Sequence, residues 1–151
     1  MTLRFDLGPF EELHIGKCVI KNSHEKSLFV IEGEMPILKG KDVLSESSVC
    51  GSLEKLYHCV QCMYLEEAYE KYQGSYLQLA AQAMRENPML HSDLHAVNQL
   101  IQNSDFYKAL RGLKKLIRTE AFAVDRSPSA SYIPRVNGWK RPVKFNSRRE
   151  N

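Results

Sequence analysis

In the stretch SLEKLYHCVQCMYL, residues 52–65, the chain changes period. Leu53, Leu56, Tyr57, Val60, Met63 and Tyr64 recur at i, i+3, i+4, i+7, i+10 and i+11, one face of an amphipathic helix. Ser47-Ser48 or Ser52 is placed to cap it. Upstream the apolar residues alternate instead. Leu3, Phe5 and Leu7 stand between Thr2, Arg4 and Asp6, the period of a half-buried strand. Gly8-Pro9 interrupts that run, and Leu13, Ile15, Val19-Ile20, Leu28–Ile31, Ile37-Leu38 and Val43-Leu44 follow in short pieces separated by turn residues. This pattern predicts a small antiparallel β-sheet over residues 1–46.

Beyond the stretch the spacing stays helical. Ala68, Tyr72, Tyr76, Leu79, Ala80 and Ala83 predict a second helix, stopped by Asn87-Pro88. Leu90, Leu94, Val97 and Ile101 mark a third, and a fourth starts at Ser104 or Asp105 and runs from Phe106 to about Phe122. Connections this short make the helices antiparallel neighbours. From residue 125 periodicity is lost, and Pro128, Pro134 and Pro142 lie among serines and Gly138. The expected fold is therefore α+β: an N-terminal sheet (1–46), a C-terminal antiparallel helical subdomain (47–124) and a flexible basic tail (125–151).

A hydrophobic content of 43% suffices for a core in a chain of 151 residues. No apolar run approaches the roughly 18 residues of a membrane helix, and Arg4 and Asp6 occupy the place of a signal peptide's apolar centre. The expected location is cytoplasmic, with Cys18, Cys50, Cys59 and Cys62 reduced.

Charge is distributed unevenly. From Phe106 onward 12 Lys and Arg face 3 Asp and Glu, a net +9, whereas residues 1–105 carry −6. Such asymmetry suggests a polyanionic partner, nucleic acid first, since clustered cations release counterions from phosphates. Lys108, Arg111, Lys115 and Arg118 follow at i, i+3, i+7 and i+10, away from the apolar face formed by Phe106, Leu110, Leu113 and Ile117. Trp139 and Phe145 among the tail cations add rings on which unpaired bases can stack.

Other chemistry is poorly represented. Cys59-x-x-Cys62 is a single CxxC inside an apolar helix, with Cys50, His58, His91 and His95 as the remaining possible ligands. Core packing is the preferred reading over zinc, because a zinc ribbon needs a second ligand pair. No Ser/His/Asp spacing and no phosphate-binding glycine loop stands out, so an enzyme, a metal and a cofactor are not expected.

Four blocks together resemble the flagellar biosynthesis repressor family FlbT. Cys18-Val19-Ile20-Lys21-Asn22 resembles its AVIxN segment, and Leu38-Lys39-Gly40-Lys41-Asp42-Val43-Leu44 its LREKDIL block. Tyr57 followed by Gln61-Cys62-Met63-Tyr64-Leu65 is similar to its Y…QLMYL stretch. Asp105–Leu110 with Lys115-Leu116-Ile117 and Glu120 is similar to its C-terminal YKAL…KLI…E helix. The likeness covers about residues 1–122. It departs at Cys62, where the family has leucine, at Gly51-Ser52, which replaces a Thr-Pro helix start, and at Lys39-Gly40, which replaces Arg-Glu and leaves a point charge without a planar fork. A second, partial similarity links Glu12–Gly16 and the Pro36–Val43 segment to the carbon storage regulator family CsrA. By that likeness Arg4 on the first strand and Lys39 or Lys41 on the last lie at an RNA-facing sheet edge.

The FlbT resemblance implies a non-enzymatic post-transcriptional regulator of flagellin synthesis that binds the 5′ untranslated leader of flagellin messenger RNA and alters its stability or translation. Some members of the family look like activators, so the sign of the effect does not transfer. The candidate RNA-binding residues are Lys108, Arg111, Lys115 and Arg118, with Arg4, Lys39 and Lys41 as an alternative surface. A rival reading is an adaptor that holds flagellin or a second flagellar regulator through its acidic helices or an open strand edge. A homo-oligomer is compatible with either.

Overall fold

The computed structural model describes residues 2–125. The tail expected over 125–151, with Trp139 and Phe145, lies outside the described residues except for Asp125, which ends the last helix. Five strands come first: β1 (Thr2–Leu7), β2 (Glu12–Ile15), β3 (Cys18–Lys21), β4 (Ser27–Glu32) and β5 (Ile37–Lys39). They form two antiparallel sheets, a β1–β4 ribbon and a three-stranded β3–β2–β5 sheet, where one sheet was expected.

The division has a local cause. Strands β1 to β4 are one long hairpin, with β1 pairing β4 and β2 pairing β3, closed at the tip by Gly16 in the left-handed region at φ 55°. Paired residue numbers add to 34 along β1–β4 (Thr2 with Glu32) but to 33 along β2–β3 (Leu13 with Ile20), so the register slips by one residue between the halves. The slip falls at Gly8–Glu11 and Asn22–Lys26. The buried Asn22 side chain holds this corner. Its Nδ2 donates to the carbonyls of Leu7 (3.0 Å), Gly8 (2.9 Å) and Glu25 (2.7 Å), and its Oδ1 accepts from Ser23 N–H and Ser27 Oγ–H. The folded hairpin closes over Leu7, Leu13 and Ile37, flanked by Leu3, Phe5, Ile15, Ile20, Phe29 and Ile31.

Strand β5 is the seam to the helices. Its alternation sends Ile37 into that small core and Leu38 into the larger helical one. A single 3-10 turn at Gly40–Asp42 follows. Val43-Leu44, expected as a strand, pairs with no strand among the described residues; the Gln61 side chain takes the place of one. Leu44 N–H donates to Gln61 Oε1 at 2.9 Å and Gln61 Nε2 donates to the Leu44 carbonyl at 3.0 Å, so a side-chain amide satisfies both buried backbone groups.

Four helices complete the fold: α1 (Ser52–Glu66), α2 (Tyr69–Glu86), α3 (His91–Gln102) and α4 (Phe106–Asp125). Gly51 is the N-cap residue of α1, and the Glu54 carboxylate reaches back to Cys50 N–H at 2.8 Å. Glu67 ends the helix in the left-handed conformation. The expected inward faces are buried: Leu53, Leu56, Tyr57, Val60 and Met63 of α1; Tyr76, Ala80 and Ala83 of α2; Leu94, Val97 and Ile101 of α3; Leu110, Leu113 and Ile117 of α4. At Gly112 the backbone of α4 approaches α3, and a Cβ there would lie 3.6 Å from the Val97 methyl. No helix among the described residues is long and apolar enough to cross a membrane.

Candidate nucleic-acid interface

Helix α1 presents Tyr57, Gln61 and Tyr64 at i, i+4 and i+7, and all three tie down the segment 37–44. The Tyr64 hydroxyl accepts from Ile37 N–H at 3.1 Å and lies 3.4 Å from the Ile37 carbonyl, covering the free edge of β5. Gln61 holds Leu44, and the Tyr57 hydroxyl donates to the Asp42 carbonyl. Burial pushes the Tyr57 phenol well above its ordinary range, with Asp42 and Tyr107 adding to the shift and Arg118 opposing it. On the other side, the Asp42 carboxylate pairs with Lys114 of α4, both side chains mostly buried. The turn carrying Lys41 is therefore fixed against α1 and α4 together.

A groove of about 770 Å³ opens between this turn and α4. Among the described residues Lys41, Arg111, Lys114, Lys115 and Arg118 line it, with Asp42 as the one carboxylate and Tyr57, Tyr107, Leu38 and Leu110 as its apolar and aromatic parts. The Lys114 ammonium is opposed by Asp42, while Lys41, Arg111, Lys115 and Arg118 are exposed. The structure thus brings three residues of the helical stripe and one from the alternative strand-side set to a single site. Their common feature is positive charge at the mouth of a concavity whose low-dielectric walls concentrate the field.

The other three expected residues lie elsewhere. Lys108 is exposed but pairs with Asp105 at 2.9 Å and does not line the groove. Arg4 is exposed on β1, opposite Val30 in the two-stranded ribbon. Lys39 is half-buried on β5, opposite Leu13. Arg4 and Lys39 belong to different sheets, and Lys41 sits in the 3-10 turn, so these residues do not share one sheet edge as the CsrA likeness suggested.

Sequence reasoning overlooked Asp42, Lys114, Tyr57 and Tyr107 as parts of the site. The helical half was legible: Tyr107, Arg111, Lys114, Lys115 and Arg118 follow at i, i+4, i+7, i+8 and i+11, a face the four-residue stripe covered only in part. The approach of Asp42 to Lys114, 72 residues away, has no local signal.

Elsewhere Cys59 follows the packing reading. Cys59 is buried, its thiol 3.6 Å from the Tyr72 carbonyl, and burial pushes it up to about 11. Cys62 is half-buried, with its thiol also raised by burial. His91 and His95 are exposed on α3. Among the described residues no three His, Cys, Asp or Glu side chains gather as metal ligands would.

Comparison with known proteins adds a separate finding. Residues 3–124 match the family described as flagellar protein FlbT. A protein of Rhodopseudomonas palustris named "Probable flagellum biosynthesis repressor protein FlbT" is 36% identical over 126 residues, 83% of this chain and 100% of the relative. A Bradyrhizobium diazoefficiens protein named "Probable flagellum biosynthesis repressor protein FlbT 1" is 31% identical over 121 residues, 80% of this chain and 83% of its own length. The "Flagellum biosynthesis repressor protein FlbT" of Caulobacter vibrioides is 27% identical over 123 residues, 80% and 87% of the two chains. No solved structure matches the chain.

Proposed function

Because the chain belongs to the flagellar protein FlbT family, we infer that it regulates flagellum biosynthesis without catalysis, by binding the 5′ untranslated leader of flagellin messenger RNA at the groove beside α4. A regulatory role rests on the relatives named as flagellum biosynthesis repressors. One observation carries the RNA reading: Lys41 from the strand side and Arg111, Lys115 and Arg118 from α4 stand exposed around one concavity. Phosphates that replace their counterions gain affinity with strong salt dependence. Four such contacts to a single strand give a slope of about −3 in log K against log salt, or about 50-fold weaker binding at 200 mM than at 50 mM.

The test is fluorescence anisotropy with labelled flagellin leader RNA across a salt series. Arg111→Glu, Lys115→Glu and Arg118→Glu in combination should abolish binding at 200 mM salt while the circular dichroism spectrum stays unchanged. Leader binding that survives this change with an unaltered salt slope would rule out the groove as the RNA site.

A second observation favours the adaptor reading. Strands β1 and β4 pair only with each other among the described residues, and the outer face of their ribbon exposes Leu28 (61%) and Val30 (54%). Open edges next to apolar residues accept an extra strand. Flagellin retained on the immobilised protein after nuclease treatment, with no leader binding in solution, would make the adaptor role the primary one.

A further inference from the structure

The groove holds an exposed aromatic residue that phosphate binding does not use. Tyr107 is 45% exposed at the lining, one helical turn before Arg111. Its ring is backed by Tyr64, centroid to centroid 6.2 Å at 49°. Tyr64 is held in turn by its hydroxyl at the Ile37 backbone, so Tyr107 rests on a ring that cannot easily move. From Tyr107 the cationic face continues through Arg111 and Lys115 to Arg118, about 16 Å along the helix at 1.5 Å per residue.

We propose that this end of the groove receives an unpaired nucleobase stacked on Tyr107, so that the protein selects single-stranded over duplex RNA. The inference rests on the RNA reading above and specifies the form of RNA taken. In a duplex the bases are stacked on one another and only phosphates, sugars and groove edges are presented, none of which uses the face of an aromatic ring. In a single strand each base has a free face, and the flanking phosphates fall on neighbouring cations. Arg111, at i+4 from Tyr107, is placed for the phosphate of the stacked nucleotide, and Lys115 and Arg118 for those that follow. Since every base has a π-face, stacking at Tyr107 selects strandedness and not sequence.

Anisotropy with a labelled 12-nucleotide RNA, alone and annealed to its complement, tests this at fixed ionic strength. The wild-type protein should bind the single strand at least about tenfold more tightly than the duplex, and Tyr107→Ala should remove about tenfold of that affinity. Its salt slope should stay unchanged, because no phosphate contact is lost. Tyr107→Phe should bind as the wild type. Tyr107→Leu, which keeps an apolar contact on Tyr64 without a stacking plane, should bind as Tyr107→Ala. Equal affinity for single strand and duplex, or a Tyr107→Leu protein indistinguishable from wild type, overturns the base site while salt-dependent binding leaves the RNA reading standing. Failure of the wild-type protein to bind either RNA at 50 mM salt overturns both.

Discussion

Replacing Gln61 by methionine isolates the device on which the junction of sheet and helices depends. Methionine keeps the unbranched length of the side chain and removes the amide. The Leu44 N–H and C=O then lose their partners at 2.9 and 3.0 Å. Leu44 is 1% exposed and Gln61 5%, so water cannot replace the amide without opening the core. Each of the two unsatisfied buried backbone groups costs about 1–3 kcal/mol, and burying a thioether in place of an amide returns about 1 kcal/mol, a net loss of about 1–5 kcal/mol. With a urea dependence of about 2 kcal/mol per molar, the unfolding midpoint should fall by roughly 0.5–2.5 M at unchanged slope. Gln61→Glu gives a signed companion result. The new carboxyl can accept from Leu44 N–H, but it can donate to the Leu44 carbonyl only when protonated. Its folded pKa is therefore raised, and the stability it contributes is present below the unfolded carboxyl value of about 4.3 and lost as pH rises. A Gln61→Met protein within about 0.5 kcal/mol of wild type would show that the amide pair does not hold the segment.

Three further outcomes follow from the same geometry. Asn22→Leu removes the side chain that satisfies three carbonyls at the hairpin corner and should cost about 2–4 kcal/mol in urea unfolding; a neutral result would mean the register slip holds itself. Cys59, raised by burial to about 11 against about 8.5 in the unfolded chain, keeps its proton longer when folded. Its contribution is thus fully present below about pH 8.5 and lost as pH rises toward about 11, so Cys59→Ala should lose less stability than wild type between those limits. A thiol reagent at pH 8 should meanwhile modify the exposed Cys18 and Cys50 long before Cys59. Lys115→Ala should shrink the salt slope for leader RNA by about 0.7, whereas Lys108→Ala, outside the groove and paired with Asp105, should leave it unchanged; equal effects would dissolve the distinction between stripe and groove.

Local pattern made the helices legible. The face of α4 reads directly from Leu110, Leu113 and Ile117, and the stop at Asn87-Pro88 falls one residue past the end of α2. The strands were equally plain except at Val43-Leu44, where two β-branched or apolar residues signal a strand but the hydrogen-bonding partner is a side chain. The sheet count was not legible, because a one-residue slip at Gly8–Glu11 changes no alternation within either half of the hairpin. For the groove, the sequence placed Arg111, Lys115 and Arg118 on one helix face and assigned Lys41 to a rival surface.

The four blocks that carried the family resemblance explain why. The block holding Asp42 meets the α1 block twice, Tyr57 at the Asp42 carbonyl and Gln61 at Leu44, and Lys114, beside the Lys115 of the α4 block, pairs with the Asp42 carboxylate. The sequence by itself determined the α+β order, the buried faces and the excess of positive charge on α4, since each depends on residues within a few positions of one another. Only the tertiary structure decided that Lys41 joins that charge in one groove and that Lys108 stays outside it. Spacing along a helix places residues on a face, but the partner of that face is chosen by contacts across 72 residues of chain, such as Asp42 with Lys114, which no local period encodes.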